Sequence, residues 1–408
     1  MDFPRLIKVV QRFAAAKLAD VEAEVQCQLA ACGVAIKPGA RVAIAAGSRG
    51  ISNLAQIIRQ VVQWVRSQGA EPFIVPAMGS HGGATAEGQR GVLESYSVTE
   101  EYVGAPIRSS MSVVELPRGD LPVPLFFDEQ AWHADGTIVV NRVKPHTSFH
   151  GQYESGLMKM ITIGLGKHAQ ALAIHALGLR GLREIMPVAA RRILEHGNVV
   201  LGLAIVENAY DQTLLVRAIP AVAIPEQEPL LLEIARQHMP RLPVEDLDIL
   251  IVDEMGKNIS GLGMDPNVIG RLRIRGEPEP PGPRVKVIMV RDLTAESHGN
   301  AIGVGLADVI TRQLFNKIDF QATYENAVTS TFLDRAKIPV IAESDAQALE
   351  IAVRACRLID PAQPRVIRIR NTLRLDELYV SPAVLAEIKD RDTIETAGPA
   401  WHDAIPTA

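Results

Sequence analysis

The sequence predicts an α/β fold built as two α/β domains. Three observations carry this: short Val/Ile-rich runs alternate with longer amphipathic segments, glycine-rich turns follow several of the runs, and 408 residues suffice for two cores. Arg41–Ala46 (RVAIAA) is a buried strand. Asn53–Gln68 carries apolar residues at helical spacing and stops at Gly69. Pro72–Pro76 is the next strand, followed by a glycine-rich turn and a helix from about Thr85. Thr137–Asn141, Val199–Val206, Leu247–Val252 and Val285–Val290 are further strands, and Ser344–Cys356 is a helix opened by Ser344 and Gln347 as a capping box. The proline-spaced stretch Pro220–Pro243 separates two strand-rich halves, so the domains are expected as 1–245 and 246–408. Gly276–Arg284 (GEPEPPGPR) is an exposed connection, because its prolines suit neither a helix nor a central strand. The run MDFPRLIKVVQRFAAAKL predicts an amphipathic helix, and the tail after about Thr393 predicts a loose end.

Composition narrows the function classes. With 47% hydrophobic and 22% charged residues the chain is globular, and a net charge of -5 leaves no basic footprint for nucleic acid or an acidic membrane. The N-terminus lacks the apolar core and cleavage site of a signal peptide, and no apolar run is long enough to span a bilayer. Cys27, Cys32 and Cys356 are too few and too scattered for a disulfide framework or a cysteine metal site. The expectation is a cytoplasmic protein that acts on a small molecule.

Four clusters gather glycine, histidine and cations at strand ends, where open α/β sheets bind ligands. Gly47-Ser48-Arg49-Gly50 frees backbone N–H groups at a helix start and offers Arg49 to a carboxylate or phosphate. Gly79-Ser80-His81-Gly82-Gly83 presents an imidazole with little core around it. The third runs from Asn141 through Lys144-Pro145-His146, His150, Lys159 and Gly164-Leu165-Gly166-Lys167-His168 to His175, holding four of the chain's ten histidines. Its Gly164-x-Gly166 lacks the third glycine of a dinucleotide fingerprint, and its histidines lack zinc-site spacing. Gly256-Lys257 through Gly263-Met264-Asp265 is the fourth, so both halves present loops that could close on an active site in the interdomain cleft.

From Arg41 to about Asn208 these clusters resemble the nickel-pincer lactate racemase family. The resemblance implies a nickel-pincer nucleotide, a pyridinium dithiocarboxylic acid mononucleotide with nickel, tethered through Lys159. It implies His175, sixteen residues on, as the metal ligand, and His81 and His146 as the acid–base pair. Ser48, Arg49, Gly79 and Ser80 would lie beside the cofactor, with Arg49 and Lys257 for the substrate carboxylate. Ala46 stands where the family has an aspartate, and the 256–265 loop carries Lys257, Leu262 and Gly263 in place of the family's substrate residues. The resemblance is therefore to a divergent branch, whose members can act on larger 2-hydroxy acids, and implies a racemase or epimerase of a 2-hydroxy acid, with cofactor-synthesis proteins as partners.

The residue types suit that chemistry. Removing the C2 hydrogen as hydride avoids a carbanion beside a carboxylate and needs an acceptor fixed in place, as a lysine tether provides. Two histidines can exchange the hydroxyl proton, one for each face, and one imidazole beside sulfur donors suits nickel. The rival readings are a nicotinamide-linked 2-hydroxy acid dehydrogenase, which the incomplete glycine fingerprint disfavours, and a non-catalytic carrier of the cofactor, which needs no histidine pair.

Overall fold

The computed structural model describes residues 5–47, 50–356 and 363–403. The chain divides into two compact units, Ala14–Met239 and Met1–Phe13 with Pro240–Ala408. The first strand explains the split. Arg5–Gln11, expected as helix, is strand β1, and it belongs to the sheet of the C-terminal half. Its apolar residues Leu6, Ile7, Val9 and Val10 fit either period locally, and pairing with two distant strands selects the extended form.

In the unit Ala14–Met239 a five-stranded sheet has the order β3-β2-β6-β7-β8. Its strands are β2 (Arg41–Ala46), β3 (Glu71–Pro76), β6 (Gly136–Arg142), β7 (Val199–Glu207) and β8 (Thr213–Pro220); β4 (Val113–Leu116) and β5 (Leu125–Asp128) form a separate hairpin. All neighbours are parallel except β7 and β8. Both faces are covered, so the central strands are apolar throughout. Val42, Ile44 and Ala46 of β2 pack under the helix Leu54–Ser67, through Ile57, Ile58, Val61 and Val65. Ala43 and Ala45 face the opposite core, which takes Leu157, Met158, Ile161, Ile174, Met186 and Ile193 from the segment 157–196. The stretch expected as a linker holds the helix Ile224–Gln237, whose Ile224, Leu231 and Leu232 join this second core.

The other unit contains an eight-stranded sheet among the described residues, ordered β12-β11-β10-β9-β13-β14-β1-β15. Its strands are β9 (Asp246–Met255), β10 (Arg284–Leu293), β11 (Val309–Thr311), β12 (Val340–Ala342), β13 (Val366–Asn371), β14 (Arg374–Val380) and β15 (Ile394–Asp403). From β12 to β13 neighbours are parallel, and from β13 to β15 antiparallel. The tail expected to be loose is thus β15, paired with β1. The helix after Ser344 begins as expected, with Ser344 Oγ accepting the Gln347 amide at 3.2 Å. No helix among the described residues is long and apolar enough to cross a membrane.

One buried ion pair ties the hairpin to the sheet. Lys167 Nζ lies 2.8 Å from Asp128 Oδ2, with both side chains fully buried, and also donates to Pro76 O at the end of β3. The other Asp128 oxygen accepts the Ala131 amide at 2.8 Å. Replacing Lys167 with methionine strands the carboxylate in the core. This should cost about 3–5 kcal/mol in the urea unfolding of Ala14–Met239. A loss under about 1 kcal/mol, the level of an exposed pair, would refute the assignment of this pair as a buried brace.

Candidate functional site

Strand β2 lies between β3 and β6, so the chain leaves β2 in one direction and later returns on its other side. The carboxyl ends of β2 and β6 are therefore a topological switch point, the crevice where open α/β sheets take ligands. Three of the sequence clusters leave this edge.

The turn after β2 begins at Gly47, where an added Cβ would lie 2.5 Å from Asn141 Oδ1, so only glycine fits beside the end of β6. Ser48 and Arg49 lie outside the described residues. The far side of the turn is clamped by Arg142, which donates to Gly50 O at 3.0 Å and pairs with Glu207. Glu207 in turn accepts the Ser52 amide at 2.7 Å. Arg142 thus holds the chain at Gly50, and Glu207 at Ser52.

The His81 loop follows β3. Gly79 has φ +61, and a Cβ there would lie 3.1 Å from Ile163 Cγ2, so conformation and close approach both demand glycine. Its N–H reaches Gly164 O at 3.4 Å, joining this loop to the segment after Lys159. Buried Gln89 donates to Gly79 O at 2.8 Å and His81 O at 3.4 Å. Ser80 is exposed and His81 half-buried.

The His146 loop follows β6 and is organised by a residue the sequence did not reveal. Glu154, fully buried, accepts the His146 amide at 2.5 Å through Oε2. Its Oε1 accepts the Gly151 amide at 3.2 Å and Arg236 Nη2 at 2.7 Å, and lies 3.3 Å from His150 Nδ1. Burial pushes the Glu154 carboxyl up, but its contacts with His150, the His146 amide and Arg236 outweigh this and hold it below the ordinary value. The His146 ring stacks on Phe149 with centroids 4.5 Å apart, and its Nδ1 accepts the Ser148 amide at 2.9 Å. In the neutral ring the hydrogen therefore sits on Nε2.

Asn141 donates to Gly156 O at 2.9 Å, and so fixes the start of the short helix Leu157–Lys159 against the end of β6. That helix passes directly into the π-helix Met160–Gly164, a form concentrated at functional sites. The helix Lys167–His175 follows and ends on His175. Lys159 and His175 are both half-buried. Burial, and then the charge of Lys159, lower the His175 pKa to about 4, which favours the neutral imidazole. The Gly164-x-Gly166 pair has a packing role. A Cβ on Gly164 would lie 2.8 Å from Ala77 O, and one on Gly166 2.3 Å from Gln170 Cβ. Beneath this segment lies Glu228, a second residue that went unnoticed. Its signal was present in the sequence: a carboxylate on the apolar face of Ile224–Gln237, four residues after Ile224 and three before Leu231.

Lys257 belongs to the other unit. Its ammonium donates to Gly261 O at 2.8 Å and Asn326 Oδ1 at 3.0 Å, and its amide to Ser297 Oγ at 2.9 Å. These bonds brace the 256–265 loop. No group of three or more His, Cys, Asp or Glu among the described residues is placed to hold a metal ion by itself.

Among solved structures the fold is similar to the lactate racemase apoprotein from Thermoanaerobacterium thermosaccharolyticum, with a TM-score of 0.53 and 14% identity over 90% of this chain and 98% of that one. It is also similar to a protein from Thermotoga maritima, with a TM-score of 0.52 and 13% identity over 86% of this chain and 97% of that one. No family model and no curated protein matches the chain. The chain therefore has the two-domain α/β fold of the lactate racemase apoprotein.

In the protein without cofactor, an NMR titration should find His175 neutral down to about pH 4. Lys159→Met should move the midpoint upward, because the lost positive charge no longer opposes protonation. A midpoint near the ordinary 6.5 that ignores Lys159 would separate the two residues.

Proposed function

We propose that this chain is an isomerase, a racemase or epimerase that inverts C2 of a 2-hydroxy acid with a nickel-pincer nucleotide tethered to Lys159. The observation that carries the reading is that the loops of His81 and His146 leave the same sheet edge, and that Gly79 of the His81 loop bonds Gly164 in the segment that runs from half-buried Lys159 to half-buried His175. The donor set suits the group: Lys159 supplies an amine for the tether and His175 one imidazole lone pair, while the remaining donors belong to the cofactor. When bound, the group takes up and returns the C2 hydrogen with its electron pair.

The protein's own residues do the rest. His81 and His146 exchange the hydroxyl proton, one for each face of the planar 2-keto acid. His146 would meet the C2 oxygen through Nε2, while the Ser148 amide on Nδ1 and Glu154 on the backbone amide hold its ring and backbone. Arg49 is the cation for the substrate carboxylate, whereas the Lys257 ammonium is engaged by Gly261 O and Asn326 Oδ1. Cofactor-synthesis proteins are the expected partners, and the substrate is a small 2-hydroxy acid.

Protein loaded in a host that makes the cofactor should carry added mass on the peptide containing Lys159. His175→Ala should lose nickel, whereas His168→Ala should keep it. The deciding measurement is chiral analysis of a panel of 2-hydroxy acids in heavy water. One of them should be inverted without deuterium at C2, whereas extensive solvent deuterium there would mean proton abstraction and end this reading.

A further inference from the structure

The proposal about Lys159 raises the question of what holds that lysine in place. The helix carrying it is three residues long and has no side-chain cap of its own, since its N-cap is Gly156. The first amides of any helix lack intrahelical partners, and leaving one buried and unpaired is costly. Here the acceptor comes from elsewhere in the chain. Glu228, on the helix Ile224–Gln237, accepts the Met158 amide at 2.7 Å through Oε2.

The fit between the two segments is close. A Cβ on Gly156 would lie 2.4 Å from Glu228 Oε1 and 2.6 Å from its Cδ, so any larger residue would displace the carboxyl group. Glu228 is only 1% exposed, and Oε1 has no hydrogen-bond partner among the described residues. Burial pushes its pKa up to about 7 against the opposing pull of the Met158 and Leu157 amides. A half-satisfied carboxyl group in a core is an expensive choice for packing alone, because an apolar side chain of similar volume would avoid the desolvation. From the other side, Asn141 grips Gly156 O at 2.9 Å. Residues 156–158 are thus held between the end of β6 and Glu228, immediately before Lys159.

We propose that Glu228 is a positioning residue for Lys159: it caps the short helix bearing that lysine from a separate helix and fixes where the amine stands at the sheet edge. The inference rests on the tether role given to Lys159, but its test does not need the cofactor.

The test uses full-length protein without cofactor, as the native chain and as Glu228→Gln, Glu228→Leu and Gly156→Ala. Glutamine keeps an acceptor oxygen, leucine removes it, and alanine at 156 pushes the carboxyl group away. Two quantities are read: amide hydrogen exchange over residues 157–160, and the rate at which an amine-selective acylating reagent labels Lys159 relative to Lys257. Loss of one hydrogen bond should quicken exchange by about tenfold in Glu228→Leu and Gly156→Ala. Lys159 labelling should rise by about threefold or more with it, as the helix end opens. Glu228→Gln should restore both to within about twofold of the native chain. If Glu228→Leu does not fold, Gly156→Ala decides alone. Unchanged Lys159 labelling in either folded variant overturns the proposal, as does a glutamine variant that behaves like leucine. Absence of added mass on Lys159 after cofactor loading would instead refute the tether and leave these results standing.

Discussion

The site depends on how closely the segment 156–166 approaches the carboxyl edge of the five-stranded sheet. Gly164 lies over Ala77 O and Gly79 over Ile163, in each case with no room for a side chain. Gly47 meets the end of β6 in the same way. A Cβ at Gly79 or Gly164 would press the segment carrying Lys159 and His175 away from the loop carrying His81. The glycines that look like a damaged phosphate-binding motif are thus the contact surfaces of a helix lying across strand ends. Packed backbones do not deform continuously, so such contacts set positions closely.

Charge is distributed around that contact so that each buried group has a structural task. Lys167 and Asp128 neutralise each other where the β4–β5 hairpin meets the end of β3. Glu154 gathers two amides, Arg236 and His150, and so shapes the loop from His146 to Gly151. Glu228 caps the helix start before Lys159. Around the histidines the logic reverses. His175 is partly desolvated and feels the charge of Lys159, both of which favour the neutral ring. Had a carboxylate stood in place of Lys159, the same imidazole would be drawn towards its charged form.

How much of this was legible depends on how far apart the interacting residues lie in sequence. Strands β2, β3, β6, β7, β9 and β10 were readable because buried parallel strands are continuous apolar runs bounded by turn residues. Strands β1 and β15 were not, because each is made strand by its partner at the opposite end of the chain. Neither RLIKVVQ nor IETAGPAWHD carries a strict alternation of its own. Histidines and glycines at strand ends marked the edge correctly, since the local pattern of strand, small residues and helix start needs no distant information. Glu154 and Glu228 went unseen for the reason that hid β1: the Glu228 carboxylate meets the backbone amide of Met158, seventy residues away, and Glu154 meets two amides and Arg236, eighty-two residues on. Glu228 alone gave a hint, as an acidic residue on an apolar helix face.

The fold shared with the lactate racemase apoprotein does not by itself fix the reaction, because one architecture hosts many chemistries. What narrows it here is a combination with few alternative uses. A dehydrogenase with a diffusible cofactor needs a phosphate-cradling loop, and the one fragment of such a motif, Gly164-x-Gly166, is spent on packing against Ala77 and Gln170. A carrier of a bound group needs a lysine and a ligand, and has no use for two histidines on separate loops beside them. The roles proposed for Lys159, His175, His81 and His146 are those of an enzyme that keeps its cofactor and moves a proton on either face of a flat intermediate.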